Sequence, residues 1–180
     1  MRHKAVFLDR DGVINRAIVI DGRPYAPRRL AEFRLMPRVL DHIARLRDLG
    51  FLVVVVTNQP DVAKKLIELP QLEAMNCRLR TELKVDAIKV CPHAQDEGCD
   101  CRKPKPGLLV AAAAELRIDL ARSYMVGDRW NDVEAGNAAG CYTLKIERGY
   151  INDRPVHADA VVQTLSQAVR HIIHREANHA

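Results

Sequence analysis

Short apolar runs alternate with stretches of helical periodicity along most of this chain. Residues 51–56 form a continuous apolar run, which is typical of a strand buried on both faces of a parallel sheet. Between such runs, apolar residues recur at the spacing of a helix with one buried face. This pattern predicts strands at residues 5–8, 51–56, 85–90, 123–126, 141–146 and 160–162, and helices at residues 37–49, 70–83, 107–116, 131–139 and 164–174.

Strands and helices that alternate in this way predict a doubly wound α/β fold with a mostly parallel sheet. The polar stretch at residues 16–34 contains Asp21-Gly22 and two prolines, and we expect an irregular loop or a small hairpin there. No linker, repeat or low-complexity segment interrupts the pattern. Residues 1–180 are therefore expected to form one domain without a separate cap domain.

The composition narrows the classes of partner. The chain has 28 Lys and Arg against 23 Asp and Glu, a net charge of +5. Because the basic residues are scattered and no nucleic-acid-binding motif is present, we expect an anionic small molecule as partner and no nucleic acid. No apolar run approaches the roughly 18 residues of a membrane span, and residues 1–4 show no secretory signal. We expect a cytoplasmic protein that does not bind membranes, and a monomer.

The most informative polar residues are two carboxylates at the end of the first predicted strand. Asp9 and Asp11 are two positions apart, so their side chains project to the same side. Two like charges in one small space require a cation between them or a shared proton. Gly12 lets the backbone turn sharply just beyond the pair. A solvated surface loop is the alternative for this motif taken alone.

Polar residues also follow the other predicted strands, in an order that disfavours the surface-loop alternative. Thr57 and Asn58 end the second strand, Lys103 follows the third, and Asp128 and Asp132 follow the fourth. In an open α/β sheet, ligands bind outside the carboxyl ends of the strands. We therefore expect these side chains to meet at one edge of the sheet.

The loop at residues 91–103 contains four metal-binding side chains in a short span. Cys91, His93, Cys99 and Cys101 have the spacing C-x-H-x5-C-x-C, and three thiolates with one imidazole satisfy a closed tetrahedral zinc site. The alternative is a set of free thiols without metal in a cytosolic protein. We expect structural zinc, because the segment has no other evident means of becoming ordered.

Together these residues resemble the motifs of the haloacid dehalogenase (HAD) superfamily of phosphohydrolases. The D-x-D-G motif is matched by residues 9–12, the second motif by Thr57, the third by Lys103 and the fourth by Gly127-Asp128. The resemblance implies a Rossmann-like HAD fold. It also implies that phosphate monoesters are hydrolysed through an aspartyl-phosphate.

The same resemblance implies a role for each catalytic residue. Asp9 attacks phosphorus, and Asp11 protonates the leaving oxygen and then takes a proton from the attacking water. Thr57 donates a hydrogen bond to a phosphoryl oxygen, and Lys103 neutralises charge on the phosphoryl group and the nucleophile.

The resemblance further implies Mg²⁺ held by Asp9, Asp128 and the backbone carbonyl of Asp11, which are hard oxygen ligands. The position of Asp132 allows two interpretations: it completes the second shell of the metal, or it faces solvent. Trp130 likewise either covers the pocket or only packs.

The zinc loop narrows the resemblance to one branch of the superfamily, which includes the heptose bisphosphate phosphatases and the histidinol-phosphatase domain. The shared sequences are F-L-D-R-D-G, T-N-Q, C-P-H and C-x-C-R-K-P, at residues 7–12, 57–59, 91–93 and 99–104. The resemblance implies that Arg102 and Asn58 bind substrate and that Arg129 contacts the substrate or the metal site. It implies removal of the C7 phosphate of D-glycero-D-manno-heptose 1,7-bisphosphate. The alternatives are histidinol phosphate or another small sugar phosphate, and a protein that binds a phosphate ligand without turnover.

Two segments depart from the heptose pattern. Residues 60–65 read P-D-V-A-K-K where that branch usually has S-G-I-A-R-G, so a Pro-led segment replaces one that contains glycine. Residues 21–25 read D-G-R-P-Y in place of the usual Gly-Tyr-Val. Both changes fall where the leaving group is expected to bind, so phosphatase chemistry is better supported than heptose specificity.

Overall fold

The structure, a computed structural model, describes residues 2–151 and 153–179 and contains eight strands and five α-helices in that part of the chain. The strands are β1 (Lys4–Leu8), β2 (Ile18–Ile20), β3 (Arg23–Tyr25), β4 (Phe51–Asn58), β5 (Ala87–Cys91), β6 (Tyr124–Gly127), β7 (Tyr142–Ile146) and β8 (Ala160–Val162). The helices are α1 (Val39–Asp48), α2 (Leu69–Leu83), α3 (Gly107–Leu116), α4 (Trp130–Ala139) and α5 (Leu165–His179).

Six of the strands form one parallel sheet in the order β5-β4-β1-β6-β7-β8. The chain winds outward from β1 in both directions, so the predicted doubly wound α/β fold is confirmed. The order reverses between β1 and β6, which is where such sheets open a crevice at the carboxyl ends of their strands.

Helices cover both faces of this sheet because its central strands are apolar on both sides. In β4, Val53 and Val55 face one core with side chains of α1, α2 and α5, whereas Val54 and Val56 face a second core with α3 and α4. All four valines are fully buried. The continuous apolar run that predicted a central strand therefore reflects burial on two faces.

The segment that follows β1 forms the small hairpin that was one of its two expected structures. Strands β2 and β3 pair antiparallel, with Asp21 and Gly22 at the turn, both at positive φ. A 3₁₀ turn at Leu30–Glu32 follows before α1 begins. This hairpin stands at the carboxyl end of β1, on the same side of the sheet as the predicted site residues.

Several predicted boundaries were wrong for local reasons. Helix α1 begins at Val39 and not at Pro37, because Arg38 adopts a left-handed backbone conformation with φ 57°. Strand β4 continues through Thr57 and Asn58, where both residues pair with β5. Helix α5 continues well beyond residue 174, to His179. Among the described residues, no helix is both long enough and apolar enough to cross a membrane.

Candidate active site

The carboxyl ends of three neighbouring strands bring the predicted catalytic residues together. Asp9 directly follows β1, Thr57 lies near the end of β4, and Asp128 directly follows β6. Strand β1 pairs with both neighbours, and Leu8 is in register with Val55 and Val126. The parallel register therefore sets these three polar side chains at one edge, as expected.

A cleft opens at this edge, with a cavity volume of about 130 Å³. It is bordered by strand-end residues, by the β2–β3 hairpin and by the loops that follow β4, β5 and β6. The residues that line it include Asp9, Asp11, Tyr25, Thr57, Asn58, Pro60, Asp61, Arg102, Lys103, Arg129 and Asp132.

Lys103 is the central cation of the site. Its Nζ donates to Asp9 Oδ1 at 2.7 Å, to Asp132 Oδ1 at 2.5 Å and to the Val56 carbonyl oxygen at 2.7 Å. The residue is only 2% exposed, so the ammonium group has exchanged water for these three acceptors. Two carboxylates thus share one buried positive charge.

Burial and charge compete in setting the pKa values of this group. Burial raises the pKa of Asp9 to about 7, with Asp132 and Asp11 adding to the rise and Lys103 opposing it. Burial disfavours the charged form of Lys103, but the carboxylates of Asp132 and Asp9 outweigh it and raise the pKa of the ammonium group. Lys103 therefore remains a cation, while Asp9 needs further positive charge to stay ionised.

The acidic cluster provides a place for that charge. Carboxylate oxygens of Asp9, Asp128 and Asp132 lie within 4.8 Å of one another, and all three residues are buried. Burial and the carboxylates of Asp9 and Asp132 raise the pKa of Asp128 well above its usual range. Its Oδ1 is buried without a hydrogen-bond partner, although Oδ2 accepts from the Tyr150 hydroxyl at 2.9 Å. Crowded oxygens with an unused acceptor fit a hard cation such as Mg²⁺.

The structure excludes one of the two interpretations of Asp132. The residue is 1% exposed, so the interpretation that it faces solvent is wrong. One carboxylate oxygen accepts from Lys103, and the other accepts from the backbone N–H groups of Asp128 and Arg129 at 3.2 and 3.1 Å. Asp132 therefore holds the ammonium group of Lys103 and the backbone at Asp128 and Arg129 in place.

Position 12 must be glycine, because the turn after Asp11 passes very close to this acidic cluster. Its φ is +98°, and a Cβ at this position would lie 1.8 Å from Asp128 Oδ2. Its carbonyl oxygen also accepts from Nε and Nη2 of Arg148, at 3.1 and 2.7 Å. Any side chain here would displace the carboxylate of Asp128.

The predicted zinc ligands converge in the loop after β5. The distances are 3.6 Å between Cys91 Sγ and both His93 Nδ1 and Cys99 Sγ, 3.6 Å between the sulfurs of Cys99 and Cys101, and 3.2 Å between His93 Nδ1 and Cys101 Sγ. A tetrahedral ion with Zn–S bonds of about 2.3 Å separates its sulfur ligands by about 3.8 Å. The spacing and the donor set therefore fit zinc, and all five cysteines of the chain are free of disulfides.

Arg102 and Lys103, which follow the Cys/His cluster in the chain, contact the cluster and the end of β4. Arg102 Nη1 donates to the His93 carbonyl oxygen at 3.2 Å. The Asn58 side chain bonds the backbone of Lys103 at both ends, donating to its carbonyl oxygen at 3.0 Å and accepting from its N–H at 3.1 Å. The end of β4 and the cluster thus hold Lys103 from two sides.

The two segments that depart from the heptose pattern both border the cleft. Pro24 and Tyr25 of the first segment and Pro60 and Asp61 of the second line it. Arg28, which follows the first segment in the chain, contacts the second, because its Nε lies 2.7 Å from Asp61 Oδ2. Trp130 carries the guanidinium carbon of Arg154 at 3.4 Å from its ring centroid, which favours the packing interpretation of Trp130.

Comparison with known proteins agrees with this geometry. A family profile described as HAD-hydrolase-like matches residues 100–168. The D-glycero-β-D-manno-heptose-1,7-bisphosphate 7-phosphatase of Pseudomonas aeruginosa is 40% identical over 83% of this chain and 84% of its own length. The enzyme of the same name from Vibrio cholerae is 35% identical over 97% of this chain and 96% of its own length. The chain belongs to the heptose bisphosphate phosphatase family of HAD-like hydrolases.

A solved structure supports the same family. The D,D-heptose 1,7-bisphosphate phosphatase of B. bronchiseptica, complexed with magnesium and phosphate, superimposes with a TM-score of 0.80. It is 30% identical, and the match covers 96% of this chain and 99% of that one. As a member of this HAD family, the protein is a hydrolase of phosphate monoesters.

Sequence reasoning missed the neighbours of Asp11 and of Asp128. Arg10, Asn15 and Gln59 all donate to the Asp11 carboxylate; Arg10 and Gln59 had a signal, as members of F-L-D-R-D-G and T-N-Q, and Asn15 had none. Tyr150 lies in the loop after β7, and no pattern in the sequence links it to Asp128.

We predict that Lys103→Met lowers the free energy of unfolding by about 3–5 kcal/mol, because it leaves the buried carboxylates of Asp9 and Asp132 without their cation. Lys105→Met is the matched control: Lys105 is 50% exposed and pairs only with Asp100 and a backbone carbonyl. We expect that control to change stability by less than about 1 kcal/mol. Urea denaturation without added metal measures both. Equal losses in the two variants would contradict the central place of Lys103.

Proposed function

We propose that this phosphatase removes the C7 phosphate of D-glycero-D-manno-heptose 1,7-bisphosphate in a magnesium-dependent reaction. The observation that carries the proposal is that Asp9, Asp11, Thr57 and Lys103 line one cleft with an acidic cluster beside it. A nucleophile, a proton donor and charge-neutralising groups are what transfer of a phosphoryl group requires. Relatives that match most of the chain are named for the heptose reaction.

Asp9 acts as the nucleophile in the first step. A carboxylate oxygen forms a bond to phosphorus while the bond from phosphorus to the sugar oxygen breaks, which leaves an aspartyl-phosphate. Support comes from the contact of Asp9 Oδ1 with Lys103, which fixes the side chain. When bound between Asp9, Asp128 and the Asp11 carbonyl oxygen, Mg²⁺ would offset the repulsion between the carboxylate and a phosphate dianion.

Asp11 transfers protons in both steps. It gives a proton to the departing sugar oxygen, which would otherwise leave as an alkoxide. In the second step it accepts a proton from the water that attacks phosphorus. The bond between phosphorus and Asp9 then breaks, inorganic phosphate is released, and both carboxyl groups return to their starting forms.

Thr57 and Lys103 bind the phosphoryl group. The Thr57 hydroxyl donates to one phosphoryl oxygen, and Lys103 balances the negative charge shared by the phosphoryl group and Asp9. Arg102, Arg129 and Asn58 border the cleft outside these residues and bind the remainder of the substrate. The guanidinium groups suit a second phosphate on the same sugar.

The Cys/His cluster holds zinc in a structural role. Its ligands are Cys91, His93, Cys99 and Cys101, and the ion fixes the loop that supplies Arg102 and Lys103. We further propose that residues 1–180 form one domain and that the enzyme is a cytoplasmic monomer. The free cysteines suit a reducing compartment.

We predict that Asp9→Asn lowers phosphate release from heptose 1,7-bisphosphate at least about a thousandfold, as loss of a nucleophile does. Asp48→Asn, on the exposed side of α1, is the matched control and should behave as wild type. The measurement is kcat/KM with Mg²⁺ for the α and β anomers and for histidinol phosphate. The proposal predicts that a heptose bisphosphate is the best substrate.

A preference for histidinol phosphate or another monoester would contradict the heptose assignment but not the phosphatase chemistry. That outcome would mean that the two altered segments bordering the cleft, at residues 21–25 and 60–65, accept a different leaving group. Full activity of Asp9→Asn would contradict the nucleophile.

We predict that the purified protein contains about one zinc ion per chain, as a closed Cys₃His site requires. Cys99→Ser should lose most of this zinc and part of the activity, because the loop that positions Lys103 then loses its anchor. Cys77→Ser is the matched control, since Cys77 is exposed on α2. Elemental analysis measures the metal. Wild-type protein without zinc, or equal zinc in the two variants, would contradict the assignment.

A further inference from the structure

We infer that Gln59, together with Arg10 and Asn15, is a positioning residue that holds the Asp11 carboxyl group for proton transfer to the leaving oxygen. The inference deepens the proposed function and rests on it. It concerns residues whose side chains have no assigned part in the reaction.

Three side chains surround the Asp11 carboxylate on its protein side. Gln59 Nε2 donates to Oδ2 at 2.7 Å, Asn15 Nδ2 donates to Oδ1 at 2.9 Å, and Arg10 Nε lies 3.2 Å from both oxygens. Each of the three donor residues is fully buried, whereas Asp11 borders the cleft. The carboxyl group is therefore fixed from behind and open to a ligand in front.

Arg10 has further contacts on the side away from Asp11. Its Nη1 donates to Asn76 Oδ1 at 3.4 Å, and its guanidinium lies over the Phe33 ring at 5.7 Å from the centroid. The guanidinium group is fully buried, and its Nη2 lies 3.1 Å from Asp11 Oδ2.

Gln59 connects Asp11 to the residue that binds the phosphoryl group. The same Nε2 that donates to Asp11 also donates to Thr57 Oγ1 at 2.8 Å, so both amide hydrogens are used. Because Thr57 Oγ1 accepts this hydrogen bond, its own hydroxyl hydrogen is available to a phosphoryl oxygen in the cleft. When Asp11 is ionised, the opposite amide orientation would direct Oε1 at its carboxylate, which disfavours that orientation.

The backbone of Gln59 extends the same connection to the loop that carries Lys103. Its N–H donates to the Cys91 carbonyl oxygen at 2.7 Å, at the point where β5 ends and the Cys/His cluster begins. One buried glutamine thus joins the proton donor, the phosphate-binding hydroxyl and the start of the metal-binding loop.

Leaving-group dependence separates a positioning role from a purely structural one. A sugar alkoxide needs a proton as it leaves, whereas 4-nitrophenolate leaves readily without one. Damage to Thr57 or to the fold lowers the rate for both kinds of ester. Loss of Asp11 positioning lowers the rate for the sugar phosphate much more than for the aryl phosphate.

The experiment measures kcat/KM for heptose 1,7-bisphosphate and for 4-nitrophenyl phosphate with Gln59→Leu, Asn15→Ala and Asp11→Asn. Gln167→Leu, on α5 away from the cleft, is the matched control. We expect Gln59→Leu to lower the ratio of the sugar-phosphate to the aryl-phosphate value at least about tenfold, within the range that general acid catalysis supplies. Asn15→Ala should shift the ratio in the same direction, by less.

Three results overturn the inference, and they have different meanings. If Gln59→Leu and Asn15→Ala lose both activities in equal proportion while Asp11→Asn is selective, Gln59 has only a structural role. If Gln59→Leu does not fold, an unchanged ratio in Asn15→Ala is sufficient to reject the positioning role. If Asp11→Asn is itself unselective, the proton-transfer role in the proposed function fails, and this inference fails with it.

Discussion

The rest of the site depends on one buried ammonium group among carboxylates. Lys103 contacts Asp9 and Asp132 directly, and Asp128 completes the acidic cluster beside them. Without this cation, nothing in the cluster would offset the repulsion among three carboxylates in so small a buried volume. With it, one more cation fits the unused oxygen of Asp128, and the carboxylate of Asp9 can approach an anionic substrate.

This requirement explains why several parts of the structure position the side chain of one lysine. Lys103 lies in a long loop after β5, and such a loop rarely fixes a side chain to the accuracy that catalysis needs. Here Asn58 holds the lysine backbone from the end of β4, and the Cys/His cluster directly precedes it in the chain. The metal-binding loop and the edge of the sheet therefore both position Lys103.

The sequence predicted the fold and the meeting of the catalytic residues because both follow from periodicity. An apolar run places Asp9, Thr57 and Asp128 at strand ends, and a parallel sheet brings strand ends together. The donors to Asp11 could not be predicted in this way. Arg10 resembles a surface residue by type, and only the packing of Phe33 and the side chain of Asn76 reveal it as buried.

The ends of helices, and positions such as Asp132 that allowed two interpretations, could not be predicted for the same reason. The start of α1 depends on the left-handed backbone of Arg38, which no apolar pattern encodes. The burial of Asp132 depends on its contacts with Lys103 and with backbone N–H groups that α4 brings near. Such features arise from tertiary contacts between distant segments, so a local pattern leaves them open.

The most direct test of the account is to trap the intermediate on Asp9. Enzyme in excess over heptose 1,7-bisphosphate is quenched within one turnover, and an aspartyl-phosphate is reduced with borohydride, which converts the aspartate to homoserine. Peptide mass spectrometry then identifies the modified position. The account predicts homoserine at residue 9 and none in Asp9→Asn. Normal phosphate release with residue 9 unmodified, or with the modification at another residue, would contradict it.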